Sequence, residues 1–450
     1  MSSLLDQLSD PASWQAYLEY KQARDQLAKP DLASLSELIE SQAYLPTALM
    51  IQCGEALPPP QKILINKLGT AKKRTVYCFQ PEVMWTLKHL AWLLYAFDDQ
   101  QPEGCYSFRR FYGTHQAFKN IVRTANIDRY WCCKLDISNY FNSIPVAKML
   151  PIVNFALAVD PALCSFFQQL LTQDSAILNG ILISEQRGVM AGTPTSPFLA
   201  NLYLRELDAW FTEQHYPYAR YSDDIIFFAE SEQEIYRCQA EALLIIQAHG
   251  LLVNSQKAYI AAPGEAWEFL GMTYQAGVID LSAGTKAKLK GKIRRKARAL
   301  RRWALRKQAG EWSEQVEGGE LGERSEQRGV RVEQRSESSK RSEHPKRAQQ
   351  GEQSELVKRA ERAFIHSFNR KFFDSRNSHD LTWARWFFPL LTTSRGIHEI
   401  DLYLQQYVRY IATGRFNSNN YQLEYRQIKE LGYRSLVNEY YRSRKLLAGE

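Results

Sequence analysis

Three aspartates carry the clearest chemical content in this sequence. Asp136 lies near the end of the run CCKLDI, and Asp223 and Asp224 close the string YSDD. Carboxylates are the donors that hard divalent cations prefer. Two such cations, about 3.5–4 Å apart, suit nucleotidyl transfer: one lowers the pKa of an attacking hydroxyl and the other holds the phosphates. Carboxylates held close together repel one another unless a cation neutralises them, so a rigid platform has to position them. Alone, YSDD reads as a surface turn, because Asp is a favoured turn residue.

The elements around the aspartates supply that platform. The runs CCKLDI (132–137), YARY (218–221) and IIFFA (225–229) are rich in β-formers and predict strands. Ser222, Asp223 and Asp224 fall between the last two, which puts the acidic pair on a β-hairpin turn. Residues 1–60 predict a helical extension, with Ser9-Asp10-Pro11 as a helix start and PPPQ at Pro58 to Gln61 as its end. Over 61–281 short β-rich runs alternate with helical patterns, which predicts an α+β body. The composition then changes. From Lys286 to Lys307 there are twelve Lys/Arg and no Asp/Glu, with Leu289, Ile293, Ala297, Leu300 and Trp303 at helical spacing, so 282–310 predicts a basic amphipathic helix. Residues 311–356 form a Glu/Ser/Gln/Gly/Arg tract too polar to offset its ordering entropy, and predict a flexible linker or insertion. Residues 357–450 are rich in aromatics and predict a mostly helical region.

Bulk properties narrow the function class. A chain of 450 residues implies two or three parts, and 45% hydrophobic content excludes a disordered protein. The formal charge of +8 fits a polyanionic partner. Seven cysteines, an odd number with no CxxC pair, argue against a disulfide framework or zinc site and for reduced thiols in a cytoplasmic protein. The start, MSSLLDQLSDPASWQ, lacks the pattern of a signal peptide. The apolar stretch around Met84 to Phe97 is broken by Lys88 and His89, so no membrane span is expected.

Beyond the aspartates, RGVMAGTPTSPFLANLYL (187–204) lies between Asp136 and YSDD, and GLLVNSQK (250–257) and EFLG (268–271) follow it. With these motifs in this order over roughly 61–280, the chain resembles the reverse transcriptase family. The likeness is to bacterial group II intron and retron-like members, and most of all to unclassified or defence-associated ones. The resemblance implies a right-hand polymerase: fingers and a ferredoxin-like palm over 61–281, then a helical thumb and C-terminal helical region. It implies two Mg²⁺ ions, with Mn²⁺ as a substitute, held by Asp136, Asp223, Asp224 and the Ile137 carbonyl. Phe141 matches the bulky residue that closes on the sugar 2′ position, so dNTPs are the implied substrate; the competing reading is a core Phe. Lys67 and Arg74 match the triphosphate-contacting cations, against a solvated basic loop. In CYSFRRFYGTHQAF, Arg109 or Arg110 matches a template or nucleotide contact.

The same likeness gives Gly192 a close approach to the incoming base pair. The family usually carries Gln before that glycine; here it is Ala191, a departure that bears on substrate selection and templating. Lys257 matches a lysine able to protonate the leaving pyrophosphate, against a plain surface lysine. Gly271 in EFLG matches the primer-grip turn. Lys292, Arg295 and Arg302 on the basic helix would track phosphates by charge. The implied activity is RNA-directed DNA synthesis on an RNA template, yielding DNA, in antiphage defence. A dedicated non-coding RNA, a protein partner or a homo-oligomer would fit beside it. The alternatives are a retron or group II intron enzyme, a template-independent or protein-primed polymerase using Tyr440 or Tyr441, and a non-catalytic nucleic-acid scaffold.

Overall fold

The central sheet grows from β3 (Trp131–Asp136), four of whose six residues are buried and the other two half-buried, as a strand covered on both faces requires. The computed structural model describes residues 3–24, 27, 29–66, 73–185, 188–308, 346–373, 383–416 and 423–448. The chain divides into two compact units. One is Met1–Thr285 with Ser375–Gly396, and the other is Lys286–Asp374 with Ile397–Glu450.

The first unit opens with a 3-10 turn (Leu4–Leu8), α1 (Pro11–Ala23), α2 (Lys29–Glu40) and α3 (Leu45–Gln52). The Asp10 carboxylate accepts the Ala12 N–H and Pro11 occupies the first turn, so the helix starts where the Asp-Pro pair places it. Trp14, Tyr17, Tyr44 and Trp85 gather into a separate aromatic core there. Next come β1 (Gln61–Asn66) and β2 (Lys73–Cys78), then α4 (Pro81–Leu93) and α5 (Thr114–Val122). After β3 follow α6 (Tyr140–Ser143), α7 (Val146–Ala156) and α8 (Pro161–Thr172), then β4 (Ser175–Leu178) and β5 (Ile181–Ser184). The order β2-β1-β4-β5 forms one sheet, parallel only between β1 and β4.

The remainder of this body is α9 (Ser196–Tyr203), α10 (Arg205–Glu213), β6 (Tyr218–Tyr221), β7 (Asp224–Ala229), α11 (Glu232–Ala248) and β8 (Tyr259–Ala261). The central sheet runs β6-β7-β3-β8, all antiparallel, with α11 packed on β3 and β7. Strand, helices, two strands, helix, strand in that spatial order is the split βαβ arrangement of a ferredoxin-like palm. All three expected strands form within one residue of their expected bounds, and the body is α+β.

A third sheet, β11-β10-β9, is built from β9 (Trp267–Phe269), β10 (Met272–Gln275) and β11 (Val278–Leu281). Residues 383–396, which begin with α14 (Trp383–Phe387), return to this unit although the sequence groups them with the C-terminal helices. Phe387, Phe388, Leu390 and Leu391 are buried. The Thr392 N–H donates to the Ile279 carbonyl at 3.0 Å, and the Ile279 N–H donates to Thr392 Oγ1 at 2.8 Å, so this segment flanks β11.

The second unit holds most of α12 (Ala283–Gln308), α13 (Lys346–Phe372), α15 (Arg395–Thr413), α16 (Tyr425–Glu430) and α17 (Leu436–Ala448). Leu289, Ile293 and Ala297 are buried along α12, as their spacing predicts. Helix α13 starts at Lys346, ten residues inside the tract expected to be a linker; 309–345 lie outside the described residues. The buried Asp401 carboxylate ties the end of the chain down, accepting from Tyr433 Oη at 2.7 Å, Ser435 Oγ at 2.9 Å and the Leu436 N–H at 2.7 Å.

Candidate active site

The palm sheet sets the carboxylates by register. Asp136 is paired across the sheet with Asp224, and Tyr221 with Asp224 across the hairpin, which leaves Ser222 and Asp223 in the turn. Ser222 takes a left-handed backbone (φ 62°), which tightens the turn. The Ile137 N–H donates to the Asp223 carbonyl at 3.0 Å and so ties the hairpin tip to the end of β3. Directly opposed residues bring their side chains within a few ångströms. The register thus opposes Asp136 to Asp224 and sets Asp223 in the adjoining turn.

Two lysines balance this charge. Lys257 Nζ lies 2.6 Å from Asp136 Oδ2, and Lys134 Nζ lies 3.1 Å from Asp224 Oδ1. The second approach sets a cation beside the buried Asp224 Oδ1. Burial pushes the Asp223 carboxyl above the usual carboxylate range, and nearby Asp136 adds to the rise while Lys257 and Arg74 oppose it. Burial likewise raises Asp224, with Lys134 pulling it back and Asp223 and Asp136 raising it further. Among the described residues no three His, Cys, Asp or Glu side chains converge on one point as a metal cluster would. The all-oxygen donor set nonetheless fits a hard divalent cation. The residues that would hold it are Asp136, Asp223 and Asp224.

Sequence reasoning missed several supporting residues. Lys134 sits two positions before Asp136, so strand alternation puts both on one face and makes Lys134 a diagonal neighbour of Asp224. That signal was available. Asn254 donates its N–H to the Asp136 carbonyl at 2.7 Å, and nothing in its spacing announces this. Nor is there a local sign of the buried Arg220–Asp208 pair beneath the hairpin, where Arg220 Nε donates to Asp208 Oδ1 at 2.7 Å and Tyr218 Oη to the same oxygen at 2.6 Å.

The other expected residues divide by environment. Arg74 is exposed on β2, and its charge reaches Asp223. Lys67 lies outside the described residues. Phe141 is half-buried, edge-on to Phe108 with ring centres 6.2 Å apart. Arg109 is buried, and its guanidinium donates to the carbonyls of Pro102 (3.2 Å), Cys105 (2.9 Å) and Asp98 (2.9 Å), so it holds its own loop. Arg110 is exposed. Lys292, Arg295 and Arg302 lie on the exposed side of α12, whereas Lys286 and Lys290 are spent on Glu399 of α15 and Arg301 donates to the Ile411 carbonyl. Tyr440 is buried and Tyr441 is exposed. All seven cysteines are free thiols, and no helix among the described residues is long and apolar enough to cross a membrane.

Ala191 is held at both ends of its peptide. Its N–H donates to Asn142 Oδ1 at 3.0 Å and its carbonyl accepts the Tyr77 N–H at 2.8 Å, which fixes the loop to β2. Gly192 has φ +105°, and a Cβ there would stand 2.9 Å from the Tyr77 carbonyl oxygen. Its close approach is therefore to β2 of its own chain. Gly192→Ala should cost about 1–3 kcal/mol through strain and displacement of β2, measured by urea unfolding. Gly271 (φ +84°) makes the tight turn expected of it, and its carbonyl accepts from Thr285 Oγ1 at 2.8 Å.

Comparison with known proteins meets this geometry from another side. Residues 71–274 match the family described as reverse transcriptase (RNA-dependent DNA polymerase). No curated protein matches the chain. Among solved structures, apo telomerase from Candida tropicalis truncated from its C-terminal domain aligns at TM-score 0.41 and 12% identity, over 50% of this chain and 56% of that one. Apo telomerase from the same organism aligns at TM-score 0.42 and 12% identity, over 53% and 52%. The chain thus spans little more than half the length of these solved chains. The family match covers somewhat less than half of the chain, and within residues 71–274 it contains all three aspartates, Lys257 and the whole palm sheet, so this part of the chain is similar to a reverse transcriptase domain.

Proposed function

We propose that this chain is an RNA-directed DNA polymerase that adds deoxynucleotides to a 3′-hydroxyl. The observation that carries the reading is the register of Asp136 against Asp224, with Asp223 on the turn between β6 and β7. Bound divalent cations, Mg²⁺ given oxygen-only donors, would activate the hydroxyl and neutralise the phosphates. The chain's own residues do the rest. The three carboxylates fix where that charge sits, and the hydrogen bond from Ile137 to Asp223 keeps the tip from drifting. Arg74, exposed on β2 with its charge reaching Asp223, offsets negative charge on the departing phosphates. Phe141, half-buried beside Phe108, would meet the 2′ position of an incoming nucleotide. The exposed cations of α12 hold the duplex by charge and not by sequence.

Lys257 is exposed, with 59% of its side chain accessible, and reaches Asp136. From there its ammonium can turn to the leaving pyrophosphate and give up a proton. Lys257→Met should lower kcat by about a hundredfold with a smaller change in KM. The test of the reading is incorporation of labelled dNTPs with Mg²⁺ on oligonucleotide-primed RNA. No product on primed RNA, on co-purified RNA or without added nucleic acid sinks it. Product lacking a template would move the reading to template-independent synthesis.

A further inference from the structure

Phe108 is an exposed aromatic residue held in a backbone conformation that suits glycine. Its φ is +57°, a genuine outlier for a bulky side chain. The residue is 38% exposed, so full core burial does not offset that strain. The loop is clamped on both sides. Before it, Ser107 Oγ donates to Asn201 Oδ1 at 2.8 Å while Asn201 Nδ2 donates to the Ser107 carbonyl at 2.6 Å, both groups buried on α9's side. After it, Arg109 is pinned by three carbonyls and lies 3.8 Å over the Tyr112 ring. Further back, the Tyr106 N–H donates to the Arg220 carbonyl of β6 at 3.0 Å. Strain that the surroundings over-determine in this way is found where a side chain must be presented.

The ring is presented to two others. It stands edge-on to Phe141, centres 6.2 Å apart at 78°, and 6.0 Å from Tyr221, the residue that opens YSDD. Phe141 itself is fixed at the backbone, where its carbonyl accepts the Val189 N–H at 2.9 Å, so the freedom left to it is that of its ring. Phe108 borders that ring on the side of the catalytic hairpin. Edge-to-face pairs have a preferred geometry and hold one another's orientation.

We propose that Phe108 is a positioning residue for sugar selection: the strained 106–110 loop exists to hold its ring against Phe141 and set the angle at which Phe141 meets the nucleotide 2′ position. This rests on the polymerase reading and on Phe141 as the residue that meets the sugar. The test measures kcat/KM for a dNTP and its matching rNTP, with melting temperature, in the full chain and in Phe108→Gly, Phe108→Tyr and Phe141→Ala.

Glycine relieves the strain, so Phe108→Gly should melt no lower than the parent. Its dNTP preference should fall about tenfold, the size of coupling between touching side chains, chiefly through a lower KM for rNTP. Phe108→Tyr should restore the preference. An unchanged ratio in Phe108→Gly, or an equal fall in kcat for both nucleotides, overturns the proposal provided Phe141→Ala alters the ratio. An unchanged ratio in Phe141→Ala removes the sugar-gate reading instead, and absence of product from the parent removes the polymerase reading.

Discussion

Asp223→Asn should reduce nucleotide incorporation by about a thousandfold or more and yet raise the melting temperature. The first half follows from what the carboxylate would do for charge in the transition state under the proposed polymerase reading, where losing several kcal/mol of stabilisation corresponds to such a factor. Asp224→Asn should fall as far. The second half follows from the environment. Burial raises the Asp223 carboxyl, which means that the folded chain favours its protonated form. The sign is then fixed. Below the ordinary carboxylate pKa of about 3.9 the residue is neutral in both states and costs nothing. As pH rises through the higher folded value, ionisation in the fold becomes unfavourable relative to the unfolded chain and stability is lost. Asparagine removes that loss, so the variant should gain most at neutral pH, and its advantage should vanish as pH falls toward 4. Melting curves at several pH values check it. A variant that melts lower than the parent at pH 7 would show that the carboxylate is structurally favourable.

The second large effect is expected beneath the hairpin. Arg220 and Asp208 are fully buried, and the Arg220 guanidinium also reaches the carbonyls of Asn201 and Ser222 at 3.3 and 3.4 Å. The Ser222 carbonyl belongs to the turn that carries Asp223. Arg220→Met leaves the Asp208 carboxylate buried without its cation, and breaking such a pair costs about 3–5 kcal/mol. Urea unfolding should register that loss, with incorporation falling in parallel because the turn loses its support. The double variant Asp208→Leu with Arg220→Met should recover part of the stability, since two apolar groups leave no buried charge. A single variant costing under about 1 kcal/mol would mean that the pair is dispensable.

What could be read in the sequence was what depends on local order. Strand alternation and the hairpin placed β3, β6 and β7 and, with them, the three acids. The Asp-Pro pair placed the first helix, and the apolar spacing gave the buried face of α12. What could not be read depends on distant partners. Arg109 carries the same charge as Arg110, and only the carbonyls of Pro102, Cys105 and Asp98 make one structural while the other is exposed. Gly192 is tight against β2, more than a hundred residues earlier, which no motif reveals. The lysines of α12 read as one uniform run until Glu399 removes Lys286 and Lys290 from it.

Residues 383–396 carry a consequence for how the molecule comes into being. They bury Phe387 and Leu391 in the unit that carries the three aspartates and flank β11, yet about ninety residues of the other unit are synthesised before them. A nascent chain therefore displays Asp136, Asp223 and Asp224 long before the body that carries them is closed. Until residue 396 clears the ribosome, the apolar surface that the segment covers stays open to solvent and chaperones. A chain cut after the basic helix would inherit that half-finished state permanently: all the chemistry, without its last wall.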